Sequence, residues 1–528
     1  MAGWSSRSKR MTNLAKTIMV QGTGSHVGKS VLTAALCRVF ARAGYKTAPL
    51  KAQNMALNSF ATPDGGEIGR STAVQAEAAG VEPIVDMNPV LLKPETERSS
   101  QVVVLGRPDG TADSKQYFGR TGKLWPIVTG ALDRLRAEYE VVVIEGAGSP
   151  AEINLREREI VNMAVALYAK SPVLLIADID RGGVFASLVG TLALLEPDEV
   201  ELIRAFVINK FRGDQSILDP GLVMLEERTG VPTAGALPYY TDIHIPEEDA
   251  LYLDTPAGYD AGGAMLDIAV VLLPHIANFD DFDPMRREPS VSLRYVTGPA
   301  GLDAADLIVI PGTKTTAADL GWLQESGRAD AIVRLRKDGR PVIGICGGYQ
   351  MLGERISDPE GHESRFTEAR GLGLLPVVTE FSPDKSTEQV RGVVAADRGL
   401  LSGAMGLPVS GYEIHMGHTR VEKGQEAIKF SERSRSPAQG FDGCLDGDGL
   451  TLGTYMHGLF HNDELRRAML RFLASRRGIE IEEDRFAASL DTEFDRLADL
   501  VTEHLDMELL FDIVGLPRKA PLPAGGTV

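Results

Sequence analysis

TIMVQGTGSHVGKSVLTAALCRVFARAG, Thr17 to Gly44, joins an apolar strand to an apolar-periodic helix through small residues that end in Gly28, Lys29 and Ser30. A phosphate-cradling loop needs this context, because small residues let backbone N–H groups close around an anion that faces the helix N-terminus. Gly22, Thr23, Gly28, Lys29 and Ser30 are the candidate nucleotide contacts, Lys29 for the terminal phosphates and the Ser30 hydroxyl for Mg²⁺. Five residues separate Gly22 from Gly28, one more than the strict pattern, so a Gly-rich strand-to-helix turn stands as the plain alternative.

From this stretch to Pro238, β-rich runs such as EVVVIEG, SPVLLIAD, ELIRAFVIN and VPTAGALP alternate with helical stretches. That alternation reads as a parallel sheet with helices on both faces. Open sheets of this kind bind ligands at the carboxyl ends of their strands. Glu145 in EGAGSP ends one strand and is the first Mg²⁺ candidate; DIDRGG, Asp178 to Gly183, and the stretch Asn209 to Asp214 end two others. Each carboxylate could equally be a loop residue or a helix cap. Residues 239–265 are acidic and Pro/Gly-rich without apolar periodicity, which marks a linker. A second βα series starts at LDIAVVLLP and runs through ADLIVIPG to PVIGICGGYQMLG. The expected class is therefore α/β with two open, mostly parallel-sheet domains. The first spans 15–238. The second spans 266–515 and includes a C-terminal helical segment from Asp484 to Val514, followed by a disordered tail at 516–528.

At 528 residues the chain exceeds one ordinary core. Its 43% hydrophobic and 24% charged residues, with mean hydropathy near zero, describe a globular protein. A net charge of -18 without a Lys/Arg stripe speaks against nucleic-acid binding. No run of eighteen apolar residues and no signal-peptide core are present, so the expected location is cytoplasmic, away from membranes. A homo-oligomer is left open.

The three cysteines differ in setting. Cys346 lies in GICGGYQ, a GxCxG turn between the strand PVIGI and a helix, the sulfur counterpart of a serine nucleophile elbow. The helix N-terminus lowers such a thiol toward the thiolate. Cys37 lies inside an amphipathic helix, and Cys444 in a Gly/Asp loop. A thiolate needs a base, and His457 in LGTYMHGLF, at a strand end in the second sheet, is the best placed. His415 and His418 in GYEIHMGHTR have a spacing that suits no zinc site.

In this order, GTGSHVGKS, KAQNMALNS, EGAGSP, DIDRGG, INKFRGD, IPGTKTT, GICGGYQMLG, GYEIHMG and TYMHGLF closely resemble the cobyric acid synthase family, from about Ile18 to Phe460. The five-residue P-loop spacing is similar to that of dethiobiotin synthetase-like domains, and the second module resembles a class I glutamine amidotransferase. The resemblance implies ATP- and glutamine-dependent amidation of the b, d, e and g carboxylates of adenosylcobyrinic acid a,c-diamide, with Mg²⁺ as cofactor and ATP and L-glutamine consumed at two sites. It implies that Cys346 attacks the glutamine amide while His457 moves the proton, with Gly312 and Gly347 as oxyanion donors. Lys51 would lie near the transferred phosphate and Asn209 would read the adenine. Glu67 would be a further metal candidate, and Gln53, Asn54, Asn58, Asp180 and Arg181 would meet the corrinoid. The class I pattern often carries a glutamate two residues after the histidine. Here Leu459 stands there, which implies a Cys/His pair without its orienting third member and a slow unactivated glutaminase.

The sister a,c-diamide synthase and, in another class, a partition-type ATPase switch are the competing readings. KAQNMALNS and DIDRGG favour the first family. Cys346 in its elbow, with His457 downstream, disfavours the switch.

Overall fold

The computed structural model describes residues 14–94, 99–246, 265–363, 367–482 and 489–517. They fall into two compact units. One holds the chain up to Ala56, Ile68–Ile245 and Ser489 onward; the other holds Leu57–Glu67 and Pro246–Ala488.

The first unit is built on six parallel strands in the order Thr233–Pro238, Ile203–Phe211, Val173–Asp178, Lys16–Gly22, Val141–Glu145 and Thr47–Lys51. VVVIE and VLLIAD are buried along their whole length, as strands covered on both faces must be. The register sets Lys51 beside Glu145 and Asp178 beside Asn209, so these side chains share the carboxyl edge above which the P-loop turns. A four-stranded sheet of Gln53–Met55, Val90–Pro94, Ser99–Val104 and Arg107–Asp113 is inserted after Lys51.

The C-terminal helices Leu490–His504 and Met507–Val514 belong to this first unit, which corrects their assignment to the second domain. Their apolar stripe of Phe494, Leu497, Val501, Leu510 and Phe511 packs on the helix Lys29–Arg42. Arg38 meets Asp495 at 2.8 Å, Arg42 meets Asp499 at 2.7 Å, and the Phe40 and Phe511 rings lie 5.4 Å apart. An amphipathic helix announces that it packs, not on what; here the complementary charges of Arg38 and Arg42 select the partner. Pro517 accepts a hydrogen bond from the Tyr45 hydroxyl, so the first residues of the expected tail are ordered against this unit. Residues 518–528 of that tail and 247–264 of the expected linker lie outside the described residues.

The second unit has a twelve-stranded sheet. Its parallel half runs Val291–Val296, Leu266–Val271, Leu307–Ile310, Val342–Ile345 and Thr451–Thr454. Beyond Thr451–Thr454 the sheet continues through an antiparallel wing of Phe441–Leu445, Gln425–Arg433 and the long strands Val377–Val394 and Pro408–Val421. Cys444 is on the first of these strands, fully buried, rather than in a loop. The Gly/Asp composition around it serves turns at the strand's ends and a close approach of Gly443 to the Gly453 carbonyl.

Candidate functional site

In the first unit the P-loop backbone is shaped by Gly28, whose φ of 103° and whose absent Cβ, which would sit 2.1 Å from Asn209 Nδ2, admit no other residue without rearrangement. The Lys29 amine folds back onto the carbonyls of Gly24 at 2.7 Å and Gly148 at 3.1 Å. Thr23 N–H bonds the Ile176 carbonyl. Ser30 Oγ donates to Glu145 Oε1 at 2.7 Å, Lys51 Nζ lies 3.0 Å from the same oxygen, and Gln75 Nε2 donates to Glu145 Oε2 at 2.5 Å. Buried Glu145 is thus ringed by a hydroxyl, an ammonium and an amide. Asn209 Nδ2 donates to the Val27 carbonyl at 2.8 Å, and Lys210 bonds His26 O and Asp178. Asn209 and Lys210 therefore tie the loop to the end of the strand Ile203–Phe211, two strands away in the sheet. Sequence reading passed over Gln75 and Lys210, whose contacts join elements distant along the chain.

In the second unit Cys346 sits between the strand Val342–Ile345 and the helix Gly347–Leu352 with φ 52° and ψ −110°, a backbone that a side-chain-bearing residue adopts only under constraint. The next turn approaches so closely that a Cβ on Gly348 would lie 2.1 Å from the Ile310 carbonyl. The Cys346 thiol donates to the Ile414 carbonyl at 3.5 Å. A Cβ on Gly312 would stand 3.0 Å from His457 Cε1 and 3.6 Å from Cys346 Cβ, so the PGT loop borders both groups. His457 Nδ1 bonds Asp281 Oδ2 at 2.7 Å, and Gly458 N–H donates to Asp281 Oδ1 at 2.7 Å. Burial disfavours the imidazolium, but the charge and hydrogen bond of Asp281, joined by Cys346, override it and push His457 up to about 10.

Asp281 occupies the place beside His457 for which sequence reading named no residue. It comes from the turn Phe279–Phe282, 176 residues before the histidine. Phe279 and Phe282 flanking carboxylates just after the first strand of this unit were the available signal, since such flanks bury a charge that then needs a partner.

Glu67 accepts from Ser59 at 2.7 Å and pairs with Lys385 at 2.5 Å within the second unit. Its hairpin, Leu57–Glu67, leaves the unit of its neighbours in sequence. Asn58, fully buried, accepts from Phe279 N–H at 3.2 Å. Gln53 receives a bond from the Tyr117 hydroxyl, and Asn54 reaches Ser71 at 3.4 Å. Asp180 pairs with Arg212 at 3.1 Å beside exposed Arg181 on the rim of the first site. Burial raises both other thiols, Cys37 strongly and Cys444 up to about 11, and leaves them as core. No group of three or more metal-ligating side chains occurs among the described residues, and none of their helices is long and apolar enough to cross a membrane.

Residues 18–251 match the model of the CobQ/CobB/MinD/ParA nucleotide-binding domain, and 267–465 that of the CobB/CobQ-like glutamine amidotransferase domain. A cobyric acid synthase of Dehalococcoides mccartyi (strain CBDB1) is 51% identical over 95% of this chain and 99% of its own length. One from Sorangium cellulosum is 52% identical over 96% and 100%, and one from Pelotomaculum thermopropionicum 51% over 97% and 99%. Among solved structures, PurLQS of Thermotoga maritima covers 40% of the chain at 17% identity with a TM-score of 0.32, too weak a likeness to build on.

A nucleotide-binding module joined to a Cys/His amidotransferase module defines a glutamine-hydrolysing carbon–nitrogen ligase. With half its residues shared along nearly its whole length, the chain belongs to the cobyric acid synthase family.

Proposed function

We propose that the enzyme amidates the b, d, e and g side-chain carboxylates of adenosylcobyrinic acid a,c-diamide, a corrinoid of cobalamin biosynthesis, through an acyl phosphate and ammonia drawn from glutamine. The observation that carries the reading is Cys346 on its strained elbow against the His457–Asp281 pair, in one chain with a P-loop whose Ser30 and Glu145 converge.

At the sulfur site the thiolate attacks the glutamine amide carbon. Gly312 and Gly347 N–H groups receive the developing oxyanion, and His457 delivers its Nε2 proton to the departing ammonia. Water then hydrolyses the glutamyl thioester, its proton passing to His457 and glutamate leaving. Asp281 holds Nδ1 so that Nε2 faces the chemistry.

At the P-loop site a corrin carboxylate oxygen attacks the γ-phosphorus and ADP departs; ammonia then attacks the acyl carbon and phosphate departs. Lys29 and Lys51 neutralise the transferred charge. Ser30 Oγ and Glu145 Oε1 would hold Mg²⁺: an all-oxygen pair with few protein ligands suits a cation that keeps its waters and takes phosphate oxygens. When bound, the ion neutralises phosphate charge. Asn209, beside the loop, would border the adenine. Gln53, Asn54, Asn58, Asp180 and Arg181 are the proposed corrinoid contacts, and Glu67 is the further metal candidate.

Incubation with Mg-ATP, glutamine and the a,c-diamide, followed by mass spectrometry of the corrinoid, should show four successive carboxyl-to-amide changes. ATP turnover without amidation or glutamate release would overturn the reading. Cys346→Ala should abolish glutamine-supported amidation and spare the reaction supported by ammonium chloride.

A further inference from the structure

Within the second unit the hairpin of Leu57–Glu67 touches Tyr412, which stacks on His457, and Asn278 and Phe279, which precede Asp281. Asn58 Oδ1 accepts from Phe279 N–H at 3.2 Å, at the head of the turn that bears Asp281. Ser59 and Asn278 exchange two bonds of 3.3 Å, and Asn278 Nδ2 also donates to the Tyr412 hydroxyl at 3.1 Å. Asn278 is held at φ 52°, a left-handed backbone that costs energy in a non-glycine residue and persists when its surroundings over-determine it. The Phe60 ring lies 4.9 Å from that of Tyr412. Tyr412 in turn stacks on the His457 imidazole at 5.3 Å and 20°, and the two residues exchange backbone hydrogen bonds of 3.2 and 2.8 Å. At its other end the hairpin is pinned by Lys385 on Glu67 and by Gln389 Nε2 on the Ala61 carbonyl at 3.2 Å.

Both flanks of the hairpin, the strand Gln53–Met55 and the helix Arg70–Ala78 whose Gln75 bonds Glu145, belong to the P-loop unit. We propose that the hairpin is a positioning element for the His457–Asp281 pair, Phe60 acting through Tyr412 and Asn58–Ser59 through Asn278–Phe279. The inference rests on the glutaminase reading above.

The test uses the full-length chain. Glutamate release from glutamine is measured across pH, with and without Mg-ATP and the a,c-diamide, beside amidation supported by ammonium chloride. Phe60→Ala should lower kcat for glutamate release about tenfold, the order expected for losing a ring-on-ring contact, with KM little changed. It should also shift the basic limb of the pH profile. Phe60→Tyr should restore both kcat and the pH profile. Asn278→Gly, which keeps the left-handed backbone and removes the amide, should act in the same direction. Ammonium-supported amidation should stay at the wild-type rate. Unchanged kcat and pH profile in both variants would overturn the proposal, as would equal loss of the ammonium-supported reaction. A wild-type enzyme that releases no glutamate would instead overturn the glutaminase reading, and the proposal with it.

Discussion

At His457 two effects oppose each other: burial favours the neutral ring, while Asp281 and Cys346 favour the imidazolium and prevail. Asp281→Asn keeps the shape but removes the charge and favours the wrong tautomer. We expect kcat for glutamine hydrolysis to fall by about 10²- to 10⁴-fold, by analogy with the Asp of a serine triad. The sign of the pH effect follows. A ring held up to about 10 stays protonated through neutrality, and without Asp281 it loses its proton at lower pH. The basic limb of the glutaminase profile should therefore move to lower pH, and a limb that stays in place would refute the assigned role. Cys346 and His457 were legible as residues because a glycine-flanked cysteine between a strand and a helix has few other uses. Asp281 was not, since its partner lies 176 positions away and its neighbours announce only burial.

Among the elements, the helix Asp463–Arg476 and the stretch just after Phe279–Arg286 are stapled by Arg466 and Glu288, a buried ion pair at 2.6 Å. The Arg466 guanidinium also donates to the Phe460 carbonyl at 2.7 Å, so one side chain braces the turn after His457 and the stretch that follows Asp281. Removing one partner of such a pair strands a buried charge, at a cost of about 3–5 kcal/mol, whereas replacing both with apolar residues of similar volume is close to neutral. Arg466→Met alone should therefore lower the denaturation midpoint sharply, and the Arg466→Met, Glu288→Leu double variant should recover most of it in a urea titration. Equal destabilisation by single and double variants would show that packing, not charge, matters there. Sequence periodicity located these elements well. It was silent on the antiparallel wing beyond Thr451–Thr454, because pairing partners of edge strands depend on register across the sheet.

For the whole molecule the notable feature is connectivity. The chain leaves the P-loop unit at Leu57 and again at Pro246, and returns to it for its last helices. Those helices bury Phe494, Leu497, Val501, Leu505, Met507, Leu510, Phe511 and Val514 in the first unit. At about 1.5–3 kcal/mol for each large apolar side chain, their loss would exceed the roughly 5–15 kcal/mol by which a domain is stable. A chain ending at Ala488 should thus lose ATP binding and the calorimetric transition of the first unit, while glutamate release, a property of the second, survives. A truncated protein that still binds ATP with native affinity would contradict this.

By itself the sequence determined what local chemistry dictates. Apolar runs alternating with amphipathic helices gave two open α/β sheets. Glycines at the P-loop and the cysteine elbow marked the two reactive ends, because only a few residue types tolerate those turns. Tertiary structure alone decided which distant segments meet: Asp281 behind His457, the hairpin of Leu57–Glu67 in the second unit, and the C-terminal helices on Lys29–Arg42. The physical reason is common to all three. Burial of apolar surface is non-directional, so a stripe or a flanking phenylalanine records that a segment is covered, while the choice of cover rests on charge pairs and shape known only once the chain is folded.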